Sequence, residues 1–172
     1  MIGKYIILGV AAVWDARKGL HDLLNISELL PKEYQLIVVG LSEKQKTELP
    51  DNIIGITHTN SVKELANLYS VADVFVNPTY EDNYPTTNLE SIACGTPVVT
   101  YETGGSPESA DMYGISVPKK DIEKLIRTIE NTVSMKPNGI DIDNENTVLN
   151  YVELYEELND ESSVHDECSF SI

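Results

Sequence analysis

The sequence predicts an α/β fold in which a parallel sheet of about six strands has helices on both faces, forming a three-layer α/β/α sandwich. Short apolar runs rich in β-branched residues recur along the 172-residue chain, and segments with helical period separate them. The chain has a length typical of a single domain, roughly 100–200 residues, and its 41% of hydrophobic residues supply a core. We therefore expect one domain over residues 1–158.

Six segments have the composition of buried strands. In chain order they are Tyr5 to Val10, Gln35 to Gly40, Ile53 to Thr57, Val74 to Asn77, Pro97 to Tyr101 and a short run from Gly114 to Val117.

Helices are predicted between these strands from apolar residues at helical spacing. Two sites fit the capping-box pattern, Ser61 to Glu64 and Thr87 to Glu90, and Ser106 is a predicted capping residue before a proline at the first helical position. The apolar stripes are Leu20, Leu23, Leu24, Ile26 and Leu29-Leu30, then Val62, Leu65, Leu68 and Tyr69, then Ile122, Leu125, Ile126 and Ile129. Beyond a loop at 135–146, a last helix is expected from about Thr147 to Leu158.

Composition excludes several classes of protein. The formal net charge of -16 argues against a broad basic face for nucleic acid. Ten acidic residues and no Lys or Arg follow Lys136, and we expect the acidic stretch 159–172 to be disordered. Cys94 and Cys168 are too few for a disulfide framework and lack zinc spacing. With neither a signal-peptide pattern nor an apolar run long enough for a membrane span, we expect a soluble, cytoplasmic protein.

In an open parallel sheet, ligands bind beyond the carboxyl ends of the strands, which directs attention to the loops. The loop after the first strand places Arg17 and Lys18 near a helix start. Cations are unfavourable beside the positive end of a helix dipole unless an anion lies between them, and a diphosphate would be such an anion. The alternative is that Arg17 and Lys18 are two solvated charges.

Two further loops are candidates. The polar loop from Pro78 to Thr87 opens a helix whose backbone N–H groups can bind phosphate or sugar oxygens, and Glu90 can accept hydrogen bonds from two neighbouring hydroxyls. Alternatively, Glu90 closes a capping box with Thr87. After the fifth strand, Gly104 and Gly105 allow close approach of a ligand to the backbone, or they simply form a tight turn.

These residues together resemble the C-terminal domain of the retaining GT-B glycosyltransferases of family four, one half of whose fold is this Rossmann-like sandwich. The strongest match runs from Pro78 to Val99, with its centre at Glu81-Asp82-Asn83-Tyr84-Pro85-Thr86-Thr87-Asn88-Leu89-Glu90, and it continues through Thr103 to Glu108. Upstream, the segments from Asp15 to Leu20 and from Tyr69 to Val76 also fit. The likeness covers about Tyr5 to Leu158.

The resemblance implies a role for each matching position. Lys18, with Arg17 beside it, would contact the donor diphosphate and neutralise the leaving group. The family has two acidic residues separated by seven, as Asp82 and Glu90 are. Glu90 would hold the ribose and Asp82 would lie near the sugar. The residues that the resemblance places around sugar and phosphate are Asn83, Tyr84, Pro85, Thr86 and Thr87. It also makes the exit of the third strand, Thr57 to Thr59, the wall for the base. His58 could touch the base, and a surface or capping role is the alternative for that histidine.

Two departures concern single positions. The first acid of the family is usually glutamate, whereas here Asp82 follows Glu81, so either carboxylate is a candidate to face the sugar. The basic residue often found five positions before the lysine is replaced by Val13, and Arg17 is a candidate substitute.

The expected function is that of a glycosyltransferase donor domain, of hexosyltransferase type and incomplete as it stands. It would bind a UDP-sugar or GDP-sugar for retaining transfer to a glycan or lipid-linked acceptor in polysaccharide assembly, with no cofactor and no protein-bound metal. The family carries a further N-terminal domain for the acceptor, so we expect little activity from this chain alone. In the intact enzyme the protein would be cytoplasmic, peripheral to the inner face of the membrane. The competing hypothesis is a non-catalytic nucleotide-sugar-binding or scaffold subunit that acts with another chain.

Overall fold

The computed structural model describes residues 4–135, in which six strands and six helices alternate. The strands are β1 (Tyr5–Val10), β2 (Tyr34–Val39), β3 (Ile53–Ile56), β4 (Val74–Asn77), β5 (Val98–Tyr101) and β6 (Gly114–Val117). The helices are α1 (Leu20–Leu29), α2 (Glu43–Thr47), α3 (Val62–Val71), α4 (Thr86–Ala93), α5 (Ser106–Ala110) and α6 (Ile122–Met135).

The sheet has the strand order β3-β2-β1-β4-β5-β6, and every pair of neighbours is parallel. This confirms the predicted Rossmann-like α/β fold. The order reverses direction between β1 and β4, and in open parallel sheets such a reversal leaves a crevice at the carboxyl ends of the two strands. Val10 and Asn77, the last residues of β1 and β4, mark that place.

Two apolar layers enclose the sheet, one on each face. On one face, residues of α1 and α6 such as Leu23 and Leu125 pack against β1, β2, β4 and β5. On the other face, Ala66 and Tyr69 of α3 pack with Phe75 of β4. Because both faces are covered, the central strands are continuous apolar runs, which is why they were visible in the sequence.

The strand ends differ from the predicted ones by one residue at β2, β3 and β5. Helix α2 was not predicted, although its signal was present: Ser42 and Gln45 form a complete capping box. The predicted last helix and acidic stretch lie outside the described residues. Within residues 4–135, the helices are too short or too polar for any of them to cross a membrane.

Two of the predicted helix starts were wrong in detail. The Ser61 hydroxyl does accept from the amide of Glu64, as predicted, but the Glu64 carboxylate accepts from the amide of Asn60 rather than from that of Ser61. At α5, the capping position belongs to Gly105, and Ser106 is already inside the helix with its hydroxyl unpaired. The chain reaches the helical conformation one residue earlier there than the proline suggested.

Candidate functional site

A cleft of about 350 Å³ lies at the carboxyl ends of β1 and β4, where the strand order reverses. The loop between β1 and α1 forms one wall, including Arg17 and Lys18. Asp82, Tyr84 and the start of α4 at residues 85–87 form the other. The loop after β1 and the loop after β4 therefore face each other across one cavity, as the sequence predicted.

A second cleft of about 370 Å³ adjoins the first and reaches towards β3. Residues 10–12, Thr86 and Thr87 line both clefts. The second is also lined by Glu90 and by Thr57, His58 and Thr59 at the exit of β3. Lys18 and Glu90 thus lie at opposite ends of one crevice whose middle is the first turn of α4.

Lys18 and Asp82 form an ion pair across the first cleft. The ammonium of Lys18 donates to Asp82 Oδ2 at 2.5 Å, and the two side chains are only 32% and 16% exposed. Asp82, not Glu81, therefore lines the cleft: Glu81 is exposed, and its carbonyl accepts from the Thr79 hydroxyl. Among residues 4–135, Asp82 is the hydrogen-bond partner of this ammonium, which therefore keeps further donors available for an anion.

Arg17 also lines the cleft, but its guanidinium is turned to Asp15. It donates to Asp15 Oδ2 through two nitrogens, at 3.1 and 2.8 Å, and its backbone amide donates to Asp15 Oδ1. These hydrogen bonds lower the pKa of the Asp15 carboxyl and raise the pKa of Arg17. With its side chain 62% exposed, Arg17 is a solvated charge at the rim, whereas Lys18 points into the cavity.

The N-terminus of α4 presents unused backbone donors to both clefts. Pro85 occupies the capping position and makes no side-chain cap. Within residues 4–135, the amides of Thr86 and Thr87 donate to no acceptor, while the amide of Asn88 donates to the carbonyl of Pro85. Free N–H groups at a helix start combine with the positive end of the helix dipole to attract anions.

The alternative interpretation of Glu90 as a capping-box residue was wrong. The helix begins at Thr86, so Thr87 lies inside it and makes no cap with Glu90. Glu90 instead accepts a hydrogen bond from the hydroxyl of Tyr69 at 3.0 Å, and Tyr69 is completely buried on α3. This bond holds one carboxylate oxygen of Glu90 in place beside the second cleft.

The glycine pair lies behind the site and contacts the protein's own backbone. A Cβ at Gly104 would lie 1.8 Å from the carbonyl oxygen of Asp82, and one at Gly105 would lie 2.1 Å from that of Asn83. Gly104 has φ +50°, and the amide of Gly105 donates to the carbonyl of Asp82. Neither glycine is among the described residues that line the two clefts. The close approach predicted from these glycines is made to the Asp82 loop.

Two features of the site were missed in the sequence. Trp14, the single tryptophan of the chain, lines the first cleft and is 6% exposed. Asn88 is fully buried; it accepts from the Asn77 amide and donates to the Ser109 hydroxyl, both at 2.9 Å. This network connects β4, α4 and α5. The sequence shows Asn88 only as a polar residue in the first turn of a helix. From the sequence alone, a buried asparagine at that place looks the same as an exposed one.

Comparison with known proteins gives consistent results. Residues 4–134 match the family described as glycosyl transferases group 1. The chain is 31% identical over 122 residues to the D-inositol 3-phosphate glycosyltransferase of Corynebacterium jeikeium, covering 61% of this chain and 29% of that protein. It is also 31% identical over 109 residues to the alpha-galactosylglucosyldiacylglycerol synthase of Streptococcus pneumoniae, covering 56% and 28%.

Solved structures show the same fold. The sucrose-phosphate synthase of Thermosynechococcus elongatus superposes with a TM-score of 0.66 and 25% identity, covering 90% of this chain and 45% of that one. HepE of Anabaena, solved in complex with UDP-glucose, superposes with a TM-score of 0.62 and 17% identity, covering 91% and 49%. This chain therefore spans less than a third of the length of these two curated relatives and under half of the length of these two solved chains.

The family match covers most of the chain, and the fold agrees with it. The chain belongs to the glycosyl transferases group 1 family and carries the C-terminal, donor-binding domain of the GT-B fold.

Proposed function

We propose that the crevice binds a nucleoside diphosphate sugar, with the diphosphate in its middle, the sugar in the first cleft and the nucleoside in the second. The observation that carries this proposal is the arrangement along one crevice of Lys18, the free amides of Thr86 and Thr87, and Glu90. An ammonium and two unpaired N–H groups suit a diphosphate. A carboxylate with one oxygen fixed suits the neighbouring hydroxyls of a ribose.

The chemistry that this arrangement favours is cleavage of the bond between the sugar and the diphosphate. As that bond breaks, negative charge develops on the leaving phosphate oxygen. Lys18 and the α4 amides would stabilise that charge without rearrangement, because they are already in place. Asp82, held at the opposite wall, is positioned to accept hydrogen bonds from sugar hydroxyls. Arg17 contributes a more distant positive charge at the rim.

The complete reaction would transfer a hexose, with retained anomeric configuration, to a glycan or lipid-linked acceptor in polysaccharide assembly at the cytoplasmic face of a membrane. A curated relative named as an alpha-galactosylglucosyldiacylglycerol synthase supports a lipid-linked acceptor, whereas the relative named as a D-inositol 3-phosphate glycosyltransferase favours a small soluble one. The acceptor would be held by a second domain, as the coverage of under half of the solved chains supports. The chain taken alone would have little or no transferase activity.

Calorimetric titration with UDP, GDP, UDP-glucose and GDP-mannose tests the proposal. We expect measurable binding of one nucleotide series, weakened about tenfold in Lys18→Met because a charge-assisted contact to phosphate is lost. Lys44→Met is the matched control: Lys44 lies on α2, and its side chain is 83% exposed. Absence of binding to every nucleotide at millimolar concentration would favour the alternative, a scaffold subunit that has kept only the fold.

A further inference from the structure

Tyr80 connects the two walls of the first cleft through its backbone. Its amide donates to the carbonyl of Arg17 at 2.6 Å. Arg17 directly precedes Lys18, and Tyr80 stands two residues before Asp82. A short path that includes this hydrogen bond therefore connects the backbones that carry Lys18 and Asp82.

The carbonyl of Tyr80 is held from the other side of the rim. It accepts from the ammonium of Lys119 at 2.7 Å and from the hydroxyl of Thr103 at 2.9 Å. The ring of Tyr80 stacks on Tyr101, with centroids 6.1 Å apart and planes at 5°. Lys119 and Lys120 lie over that ring, at 5.6 and 5.2 Å from its centroid. Loops that follow four different strands thus meet at one residue.

The backbone after β6 turns sharply at Lys120, directly after the residue that contacts the Tyr80 carbonyl. Lys120 has φ +68° and is the sole residue other than glycine with positive φ among residues 4–135. A long side chain in that conformation is uncommon, and such strain persists where the surroundings fix it. The turn from Pro118 to Asp121 closes on a backbone hydrogen bond of 3.1 Å.

We propose that Lys119 is a positioning residue for the candidate donor site: through the Tyr80 carbonyl, it holds the β4–α4 loop where Lys18 and Asp82 meet. Lys119 is exposed and forms no ion pair within the described part of the chain. Its ammonium is committed to a backbone carbonyl and an aromatic ring of the loop that carries Asp82. The effect on ligand affinity rests on the proposed function, whereas the effect on the Lys18–Asp82 pair does not.

A double-mutant cycle tests the positioning role without any ligand. The unfolding equilibrium constant is measured in urea for Lys18→Met, Asp82→Asn and the double variant, once with Lys119 present and once in a Lys119→Met background. We expect the coupling between Lys18 and Asp82 to change the constant about fivefold with Lys119 present. In the Lys119→Met background, the coupling should change the unfolding equilibrium constant by less than about twofold.

Two further backgrounds serve as controls. Lys119→Arg keeps a charged donor and should keep the coupling. Lys44→Met removes an exposed charge on α2 whose partner is Glu48, and it should leave the coupling unchanged. Equal coupling with and without Lys119, or a loss in both the Lys119→Met and Lys44→Met backgrounds, overturns the proposal.

A ligand titration then measures the consequence for the site. With the nucleotide series that binds, Lys119→Met should weaken the nucleoside diphosphate about threefold or more and change the affinity for the free nucleoside by less than twofold, because the nucleoside would occupy the second cleft. Equal weakening of both ligands, or of neither, contradicts the inference. If the unaltered chain binds no nucleotide, the proposed donor function fails, and the cycle alone still decides the role of Lys119.

Discussion

Gly104→Ala should damage the candidate site from behind, through the backbone of Asp82. A Cβ at this position would lie 1.8 Å from the Asp82 carbonyl oxygen, and real Cβ atoms essentially never approach closer than 3.0 Å. The two backbones must therefore separate by at least 1.2 Å, the difference between those distances. Because the Lys18–Asp82 contact is a single hydrogen bond, a shift of that size breaks it.

Two costs add up in this variant. Alanine at φ +50° costs about 1–2 kcal/mol. Loss of a part-buried, charge-assisted hydrogen bond costs about 1–2 kcal/mol more. We expect the free energy of unfolding in urea to fall by about 2–4 kcal/mol. Nucleoside diphosphate affinity, followed by Trp14 fluorescence, should fall about tenfold, because the displaced loop leads into the first turn of α4, whose free amides would hold the diphosphate.

Gly55→Ala is the matched control. A Cβ at Gly55 would also be crowded, at 2.5 Å, but against Cδ1 of Leu49, the movable end of a side chain. Its expected cost is about 1 kcal/mol, the low end of the cost of overpacking, because a side-chain end can move aside, and the affinity should not change. If Gly104→Ala were no more destabilising than Gly55→Ala and bound nucleotide equally well, the reasoning about the Asp82 backbone would be refuted.

Three more predictions concern single side chains. Asp82→Asn should strengthen binding of UDP or GDP about fivefold in calorimetry, because a carboxylate that competes for Lys18 and repels phosphate is removed, and a weaker or unchanged Kd would contradict this. Ser106→Ala should leave the urea midpoint unchanged or raise it, since the Ser106 hydroxyl is buried without a partner, while Ser109→Ala should cost about 1–2 kcal/mol; equal losses would contradict the hydrogen-bond assignment. Burial raises the pKa of Tyr80 from 10.0 to about 12, so its contribution to the free energy of unfolding is complete below pH 10 and is lost as the pH rises to about 12. In urea unfolding at alkaline pH, Tyr80→Phe should make the free energy of unfolding fall less steeply with pH. An unchanged dependence on pH would contradict this.

The sequence was sufficient to predict the fold because buried parallel strands are short apolar runs, and β1 to β5 had that signature, whereas β6 is a partly exposed strand at the edge of the sheet. It located the two loops that line the first cleft, since the carboxyl ends of neighbouring parallel strands meet at one edge. The placement of Lys18 opposite Asp82 depends on the reversal of strand order between β1 and β4, which the structure shows.

Other features depended on contacts that local patterns do not encode. Gly104 and Gly105 predicted a close approach, but not that the partner would be the Asp82 backbone. Lys119 is 39 residues from Tyr80 in the chain, and no periodicity relates them. For Glu90, the capping-box pattern competed with the ribose hypothesis, and only the start of α4 at Thr86 excluded the box.

The account depends most directly on Lys18 and Glu90 contacting one ligand at its two ends. The decisive measurement is the Kd of the preferred nucleoside diphosphate, by Trp14 fluorescence, for the unaltered chain, Lys18→Ala, Glu90→Ala and the double variant. Each single change should weaken binding by about 1–2 kcal/mol, and the two losses should add, because the contacts are separate. Glu90→Ala should also weaken binding of the free nucleoside, whereas Lys18→Ala should not. Nucleotide binding that is insensitive to both substitutions would contradict the account.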